Sequence, residues 1–316
     1  MSSPVLRFDG QVAVVTGAGR GLGRAYALLL AERGARVVVN DMDAEAADGV
    51  VSEIIAAGGT ATADHHSVAT PEGGAALADR IREAFGAVQI VINNAGIARA
   101  AEFTGMTPRT GPELFGEMIA VHLLGPCHVL WPLWPTMVQQ GYGRVVNVSS
   151  GAVWGLRGQS AYAACKAGVM GLTRTLGREG RYHGIHVNCV LPWAVTVASP
   201  DRSGEEFGSI IDTHMRPENV APAVVWLVHE DCPATGEFFT VDGGRMARLG
   251  WVAGQGHTDL NPSPESYRDN WHQIMDLTTY TVPTSTSDHM RHTVMPHYQD
   301  LENQERKPQG RRRHEI

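Results

Sequence analysis

Short runs of β-branched and other apolar residues recur through the first 250 residues, separated by longer stretches in which apolar positions return every three or four residues. Gln11-Val12-Ala13-Val14-Val15, Arg36-Val37-Val38-Val39-Asn40, Gln89-Ile90-Val91-Ile92 and Arg144-Val145-Val146-Asn147-Val148 read as strands, as do residues 60–63, 185–191 and 238–244. They lack strict apolar–polar alternation, as strands covered on both faces do. Helical periodicity occupies residues 24–32, 50–57, 71–85, 118–138 (interrupted near Gly125-Pro126), the stretch around Tyr162, and 220–229. Strand and helix alternating with short connections predict an α/β fold: a doubly wound parallel sheet, helices on both faces and right-handed crossovers. That domain is expected over residues 1–250, and no internal repeat interrupts it. A C-terminal helical extension over 251–283 follows, with one helix opened by Ser263-Pro264-Glu265-Ser266 and an apolar face of Tyr267, Trp271, Ile274 and Met275. From residue 284 the chain turns polar and ends in Arg311-Arg312-Arg313-His314, which reads as a solvated, disordered tail.

The first strand leads directly into Thr16-Gly17-Ala18-Gly19-Arg20-Gly21-Leu22-Gly23, and the second ends at Asp41, 24 positions after Gly17. Strand, glycine turn, helix, strand and acid together form a dinucleotide-binding, Rossmann-type βαβ unit. Gly17, Arg20, Gly21, Leu22 and Gly23 are the candidates for holding a pyrophosphate at the positive helix N-terminus. A carboxylate at Asp41 accepts hydrogen bonds from both ribose hydroxyls of NAD and repels a 2′-phosphate. Arg20 argues for NADP, because a guanidinium pairs with phosphate, but Asp41 is given the greater weight, and NAD is the expected cofactor. Asp41 also suits a helix N-cap, given Asp43-Ala44-Glu45 beyond it. Asn94, Ala95 and Gly96 lie where the fourth strand ends, on the ligand-binding side of such sheets. Asp64 ends its own strand and either reaches an adenine amino group or closes an Asx turn.

Composition narrows the class without changing it. Of 316 residues, 43% are apolar and 19% charged, with a formal net charge of -7. Such a balance gives no reason to expect nucleic acid or an anionic membrane as a partner. Cys127, Cys165, Cys189 and Cys232 are widely spaced and form no C-x-x-C pair, which suits reduced thiols. No apolar run approaches the roughly 18 residues of a membrane span, and the N-terminus lacks a signal-peptide core. A cytoplasmic protein is expected. The histidines stand outside any H-E-x-x-H context, so no metal site is expected.

The chemistry centres on Tyr162-Ala163-Ala164-Cys165-Lys166. On a helix, four residues bring the tyrosine and lysine to one face. A phenol with a pKa near ~10 is a poor acid or base at neutral pH, and a neighbouring ammonium favours its anion. With TGAGRGLG, NNAG, the double serine, YAACK, the proline after the following strand and VDGG in order, the chain resembles the short-chain dehydrogenase/reductase family over residues 8 to about 248. The resemblance implies a Ser-Tyr-Lys centre that moves a hydride between nicotinamide and an alcohol/ketone pair. Tyr162 would be the acid/base, a serine would polarise the substrate oxygen, and Lys166 would hold the nicotinamide ribose. Pro192 and Thr196 would border the nicotinamide, with an ordinary loop threonine as the alternative for Thr196, and a homodimer or homotetramer would be the assembly.

Three departures mark this chain. The family's usual spacing before the tyrosine lands on Ser149, whereas strand register puts Ser150 in the catalytic place and is given the greater weight. His122 stands where the family usually carries an asparagine whose backbone carbonyl holds a proton-relay water; an ordinary helix histidine bonded to a neighbour is the alternative. Trp193 replaces the glycine usual after the proline, and residues 199–211 read as a substrate lid. VHLLGP, EGRYHGIHVN, VAPAVVWLVHEDC and the SPE…NW segment resemble, in addition, the dehydrogenase domains of peroxisomal multifunctional enzymes of type two. The implied substrate is a (3R)-hydroxyacyl-CoA, with a steroid or alicyclic alcohol as the alternative, and a non-catalytic NAD-binding scaffold as the rival from another class.

Overall fold

A computed structural model describes residues 5–194 and 213–298. Two compact units divide the chain, Met1–Leu249 and Gly250–Ile316. In the first, strands β1 (Val12–Thr16), β2 (Arg36–Asn40), β3 (Thr60–Asp64), β4 (Ile90–Asn93), β5 (Gly143–Val148), β6 (Ile185–Trp193), β7 (Phe238–Asp242) and β8 (Arg245–Leu249) form one sheet in the order β3-β2-β1-β4-β5-β6-β7-β8. β1 to β7 are parallel and β8 returns antiparallel on β7 across Gly243-Gly244. The expected doubly wound sheet is present, with this short antiparallel edge strand added.

The helices are α1 (Gly21–Glu32), α2 (Ala44–Ala56), α3 (Pro71–Phe85), α4 (Thr110–Ile119), α5 (Gly125–Gln140), α6 (Ser160–Gly180) and α7 (Pro217–Leu227). Alternate residues of each strand feed opposite layers of core. Ala13 and Val15 of β1 join Tyr26, Leu30, Ile54 and Val224 from α1, α2 and α7, while Val12 and Val14 join Leu77, Ile81, Val129 and Met137 from α3 and α5. Both parities are therefore apolar, which is why the strands read as continuous runs.

Several boundaries differ from the sequence reading for identifiable reasons. α1 starts at Gly21, inside the glycine turn, because the chain becomes helical before its apolar period begins. α2 starts six residues early at Ala44, where the Asp43 carboxylate caps it by accepting from Ala46 N at 3.2 Å. The interruption near Gly125 is a π turn, Ala120–Leu124, joining α4 to α5. The continuous helical stretch Thr110–Gln140 is long and apolar enough to cross a membrane, although no run of 18 apolar residues stood out in the sequence. Here Met118, Val129, Leu130, Leu133 and Met137 from this stretch are buried within the first unit.

In the second unit the single expected helix is two, α8 (Pro264–Asp269) and α9 (Trp271–Ile274). The Ser263–Ser266 capping box forms as expected, and the break falls at Asn270, whose side-chain amide donates to Ser266 O at 2.8 Å. The expectation of a disordered tail from residue 284 is corrected over its first part. Ser285 caps α10 (Thr286–His289) by accepting from Asp288 N at 2.9 Å, and a π turn, Met290–Val294, continues it. The terminal arginines lie outside the described residues.

One buried polar ladder ties the central strands to α6. Asn93 Nδ2 donates to Asn147 Oδ1 at 2.9 Å, and Asn147 Nδ2 donates to Thr173 Oγ1 at 3.0 Å. Replacing Thr173 by Val removes that acceptor while keeping shape, and leaves the Asn147 amide unpaired. Denaturant unfolding is expected to show a loss of about 1–3 kcal/mol, with the midpoint lowered and the slope unchanged.

Candidate active site

Strand order reverses between β1 and β4, so a crevice opens beyond the carboxyl ends of the strands on either side. Thr16 closes the floor of that crevice. Its hydroxyl oxygen accepts from Asn94 N at 3.1 Å and Ala95 N at 3.0 Å. Asn94 Nδ2 donates to Thr16 O at 3.0 Å and Gly17 O at 3.1 Å, so the NNAG turn and the glycine turn are bonded together and the Asn94 amide is spent on protein. A Cβ on Gly17 would lie 2.7 Å from Ala95 Cα, so the two turns touch, and Gly21 and Leu22 open α1 behind Arg20. A Cβ on Gly23 would lie 2.2 Å from Gly17 O, so only glycine lets α1 begin this close to the turn. Arg20, the α1 N-cap, makes no side-chain cap bond, which leaves first-turn N–H groups for an anion. This cradle and uncapped helix end fit a pyrophosphate.

Asp41 faces the same turn. Its Oδ2 accepts from Gly19 N at 2.9 Å and its Oδ1 from Asp43 N at 3.0 Å. Arg20 does not compete for a phosphate freely, because its guanidinium pairs with Asp43, the cap of α2. The carboxylate with lone pairs to spare for ribose hydroxyls is Asp41, as an NAD site requires. Asp64 takes the Asx-turn geometry. It is 3% exposed, its Oδ1 accepts from His66 N at 3.1 Å and Asn40 Nδ2 at 2.6 Å, and its Oδ2 lies 2.8 Å from His66 Nδ1.

The proton-transfer candidates meet where β5 ends against α6. Lys166 is 4% exposed and its Nζ donates to Val148 O at 2.6 Å. Ser149 Oγ donates back to Lys166 O at 2.8 Å and is itself buried. The two serines are thereby distinguished. Ser149 is committed to the helix backbone, whereas Ser150 is partly exposed at the start of the turn Gly151–Trp154 and its oxygen accepts from Ala152 N at 3.2 Å. Among the described residues nothing accepts the Ser150 hydroxyl proton. Tyr162, one turn before Lys166, is partly exposed, and the ammonium lies 5.5 Å from its ring centroid.

His122 sits behind the tyrosine in the π turn, its ring edge-to-face with Tyr162 at 5.0 Å and 84°. Burial, with Lys166 next in weight, pushes its pKa down to about 4, against a hydrogen bond donated to the Ile97 carbonyl that favours protonation. Pro192 lies in β6 and Trp193 at its end is 53% exposed, while Thr196 and the lid at 199–211 lie outside the described residues. Among the described residues no cluster of ligating side chains could hold a metal. Sequence reading missed Thr16, Asn147 and Thr173. The one legible signal was a polar asparagine inside the apolar run of β5.

A family model described as short chain dehydrogenase matches residues 11–206. The mouse peroxisomal multifunctional enzyme type 2 is 39% identical over 302 residues, covering 91% of this chain and 40% of that enzyme. A putative short-chain type dehydrogenase/reductase of Mycobacterium tuberculosis is 40% identical, covering 84% of this chain and 94% of the relative. Among solved structures, the full-length peroxisomal multifunctional enzyme type 2 of Drosophila melanogaster superposes with a TM-score of 0.78 at 33% identity, over 94% of this chain and 50% of that one.

The chain belongs to the short-chain dehydrogenase family, whose members act on CH–OH groups. It is an NAD-dependent oxidoreductase related to the dehydrogenase part of the peroxisomal type 2 enzymes, and it spans about 40% of the length of the mouse relative. The expectation of a cytoplasmic protein is overturned by these relatives, which are named as peroxisomal. Charge balance and reduced cysteines report solubility and redox state, and both are silent on receptor-read addresses.

Two outcomes are expected here. Asp41→Ala should weaken NAD binding by roughly 10-fold and raise the NADP/NAD ratio of kcat/KM, because the ribose acceptor and the repulsion of a 2′-phosphate are both lost. The second concerns His122, whose folded pKa of about 4 lies below its ordinary 6.5. Its contribution to stability is complete above the unfolded value and declines as pH falls toward the folded one, by at most about 3 kcal/mol. Chemical unfolding of wild type and His122→Asn between those pH values should show the steeper acid loss in wild type.

Proposed function

We propose that the chain oxidises the 3-hydroxyl of a (3R)-hydroxyacyl-CoA to the ketone, with NAD as hydride acceptor. Ser150, Tyr162 and Lys166 are the residues at the reacting atoms. The observation that supports the chemistry is the split between the serines, which leaves the Ser150 hydroxyl proton unspent while Ser149 is buried on the backbone of α6. Ser150 donates its hydroxyl proton to the substrate oxygen and so holds it within reach of the phenol. Tyr162 would take the alcohol proton as the base and return it in the reverse direction, and NAD bound in the crevice would supply the hydride acceptor. Lys166 Nζ lies 5.5 Å from the Tyr162 ring centroid, and its N–H groups left over from Val148 suit ribose hydroxyls.

The acyl-CoA class is supported by the reach of the likeness. Similarity to the Drosophila enzyme covers 94% of this chain, past the catalytic unit and into the residues after 249. A homodimer or homotetramer is the assembly this reading carries with it. NADH formation against (3R)- and (3S)-hydroxyacyl-CoAs, steroids and cyclic alcohols tests substrate and stereochemistry together. Turnover confined to a steroid or cyclic alcohol would refute the acyl-CoA assignment. Tyr162→Phe should lower kcat by ~10²–10⁴-fold with NADH affinity retained, and full turnover by that variant would refute the mechanism.

A further inference from the structure

Two histidines follow Asp64 at the end of β3, and they turn to different partners. His65 reaches toward α2, where its Nε2 lies 3.2 Å from Asp48 Oδ1. His66 folds back onto the strand end, its Nδ1 2.8 Å from Asp64 Oδ2. The main chain of His66 is held as well: its N donates to Asp64 Oδ1 at 3.1 Å, and its O accepts from Asn40 Nδ2 at 2.9 Å. The ring is thereby ordered, yet the His66 side chain is 54% exposed while that of Asp64 is 1% exposed. The imidazole covers the carboxylate that the sequence offered for an adenine amino group. What the strand end presents to solvent is His66.

A carboxylate has only lone pairs to give, so its contact with the ring requires the proton on Nδ1. In the neutral imidazole that leaves the free lone pair on Nε2. No group among the described residues bonds Nε2. Asp64 therefore sets the tautomer, and the acceptor character of the buried carboxylate reappears at the outer edge of the ring.

The sheet fixes where this acceptor stands. β2 and β3 pair in register up to Asn40 and Asp64, and Asp41 N donates to Asp64 O at 3.0 Å. Neighbouring strands lie about 4.8 Å apart, so the loop carrying His66 begins one strand spacing from the carboxylate offered to the ribose. The purine of NAD is bonded to that same ribose. Resting on the assignment of Asp41 to the ribose, we propose that His66 recognises the adenine: Nε2, kept bare by Asp64, accepts a hydrogen bond from the 6-amino group. The site then selects a 6-amino over a 6-oxo purine, because an oxo oxygen sets lone pair against lone pair.

Equilibrium binding to the full-length chain tests this with three ligands: NADH, its hypoxanthine analogue, and reduced nicotinamide mononucleotide, which lacks the purine. Wild type should bind NADH about 10-fold more tightly than the hypoxanthine analogue. His66→Phe and His66→Leu keep an apolar cover near Asp64 and remove the acceptor. Both should bring that ratio to unity by losing affinity for NADH, with the mononucleotide unaffected. In the cofactor-free chain, ¹⁵N NMR should show the proton of His66 on Nδ1. Equal wild-type affinity for the two dinucleotides, or a ratio unchanged in His66→Phe, would overturn the proposal, as would a proton on Nε2. A loss shared by all three ligands would overturn it too, since that marks a role in loop structure alone. If His66→Phe does not fold, His66→Leu and the NMR decide. Unaltered NADH affinity in Asp41→Ala would instead refute the ribose placement, so the two failures are distinguishable.

Discussion

Two crossed hydrogen bonds between β5 and α6 hold the site together. Lys166 reaches back to the carbonyl of Val148, and Ser149 reaches forward to the carbonyl of Lys166. An ammonium this deeply buried is unfavourable unless its protons find acceptors, and a single carbonyl supplies only part of that need. Its remaining N–H groups are available to what enters the crevice. The same pair of bonds fixes the rotation of α6 about its axis, and so the face that carries Tyr162. One buried serine and one buried lysine are thereby locked to each other across the junction.

Several buried polar groups gather near that junction, while others, such as His128, Arg144 and His229, stand apart from it. Apolar clusters fill the two layers between sheet and helices. Near the junction, Asn93, Asn147 and Thr173 form a bonded ladder, Thr16 gathers the two cofactor turns, and His122 spans from Ile97 to Tyr162. Buried polar networks are directional, where apolar packing tolerates small slips. The carboxyl ends of the strands are thus the most narrowly specified part of the fold. The cofactor end shows the same economy: Asp41 orders the glycine turn through Gly19 while keeping lone pairs for a ribose, and Asp43 caps α2 while engaging Arg20.

The order of strands and helices, the dinucleotide turn, the acid at the end of β2 and the Tyr162–Lys166 pair were all determined by the sequence alone. Each depends on local periodicity or on residues a few positions apart, and short-range geometry is what sequence spacing encodes. Boundaries were less legible where capping by Asp43 or competition from Asn270 overrode the apolar pattern. Only the tertiary structure separated Ser149 from Ser150, because both lie just past the end of β5 and only their bonds to Lys166 and from Ala152 distinguish them. It alone turned Asp64 inward to His66 and Asn40, and exposed the unpaired nitrogen of His122. These are matters of which distant groups share a buried volume, and that is settled by packing between elements far apart in the chain.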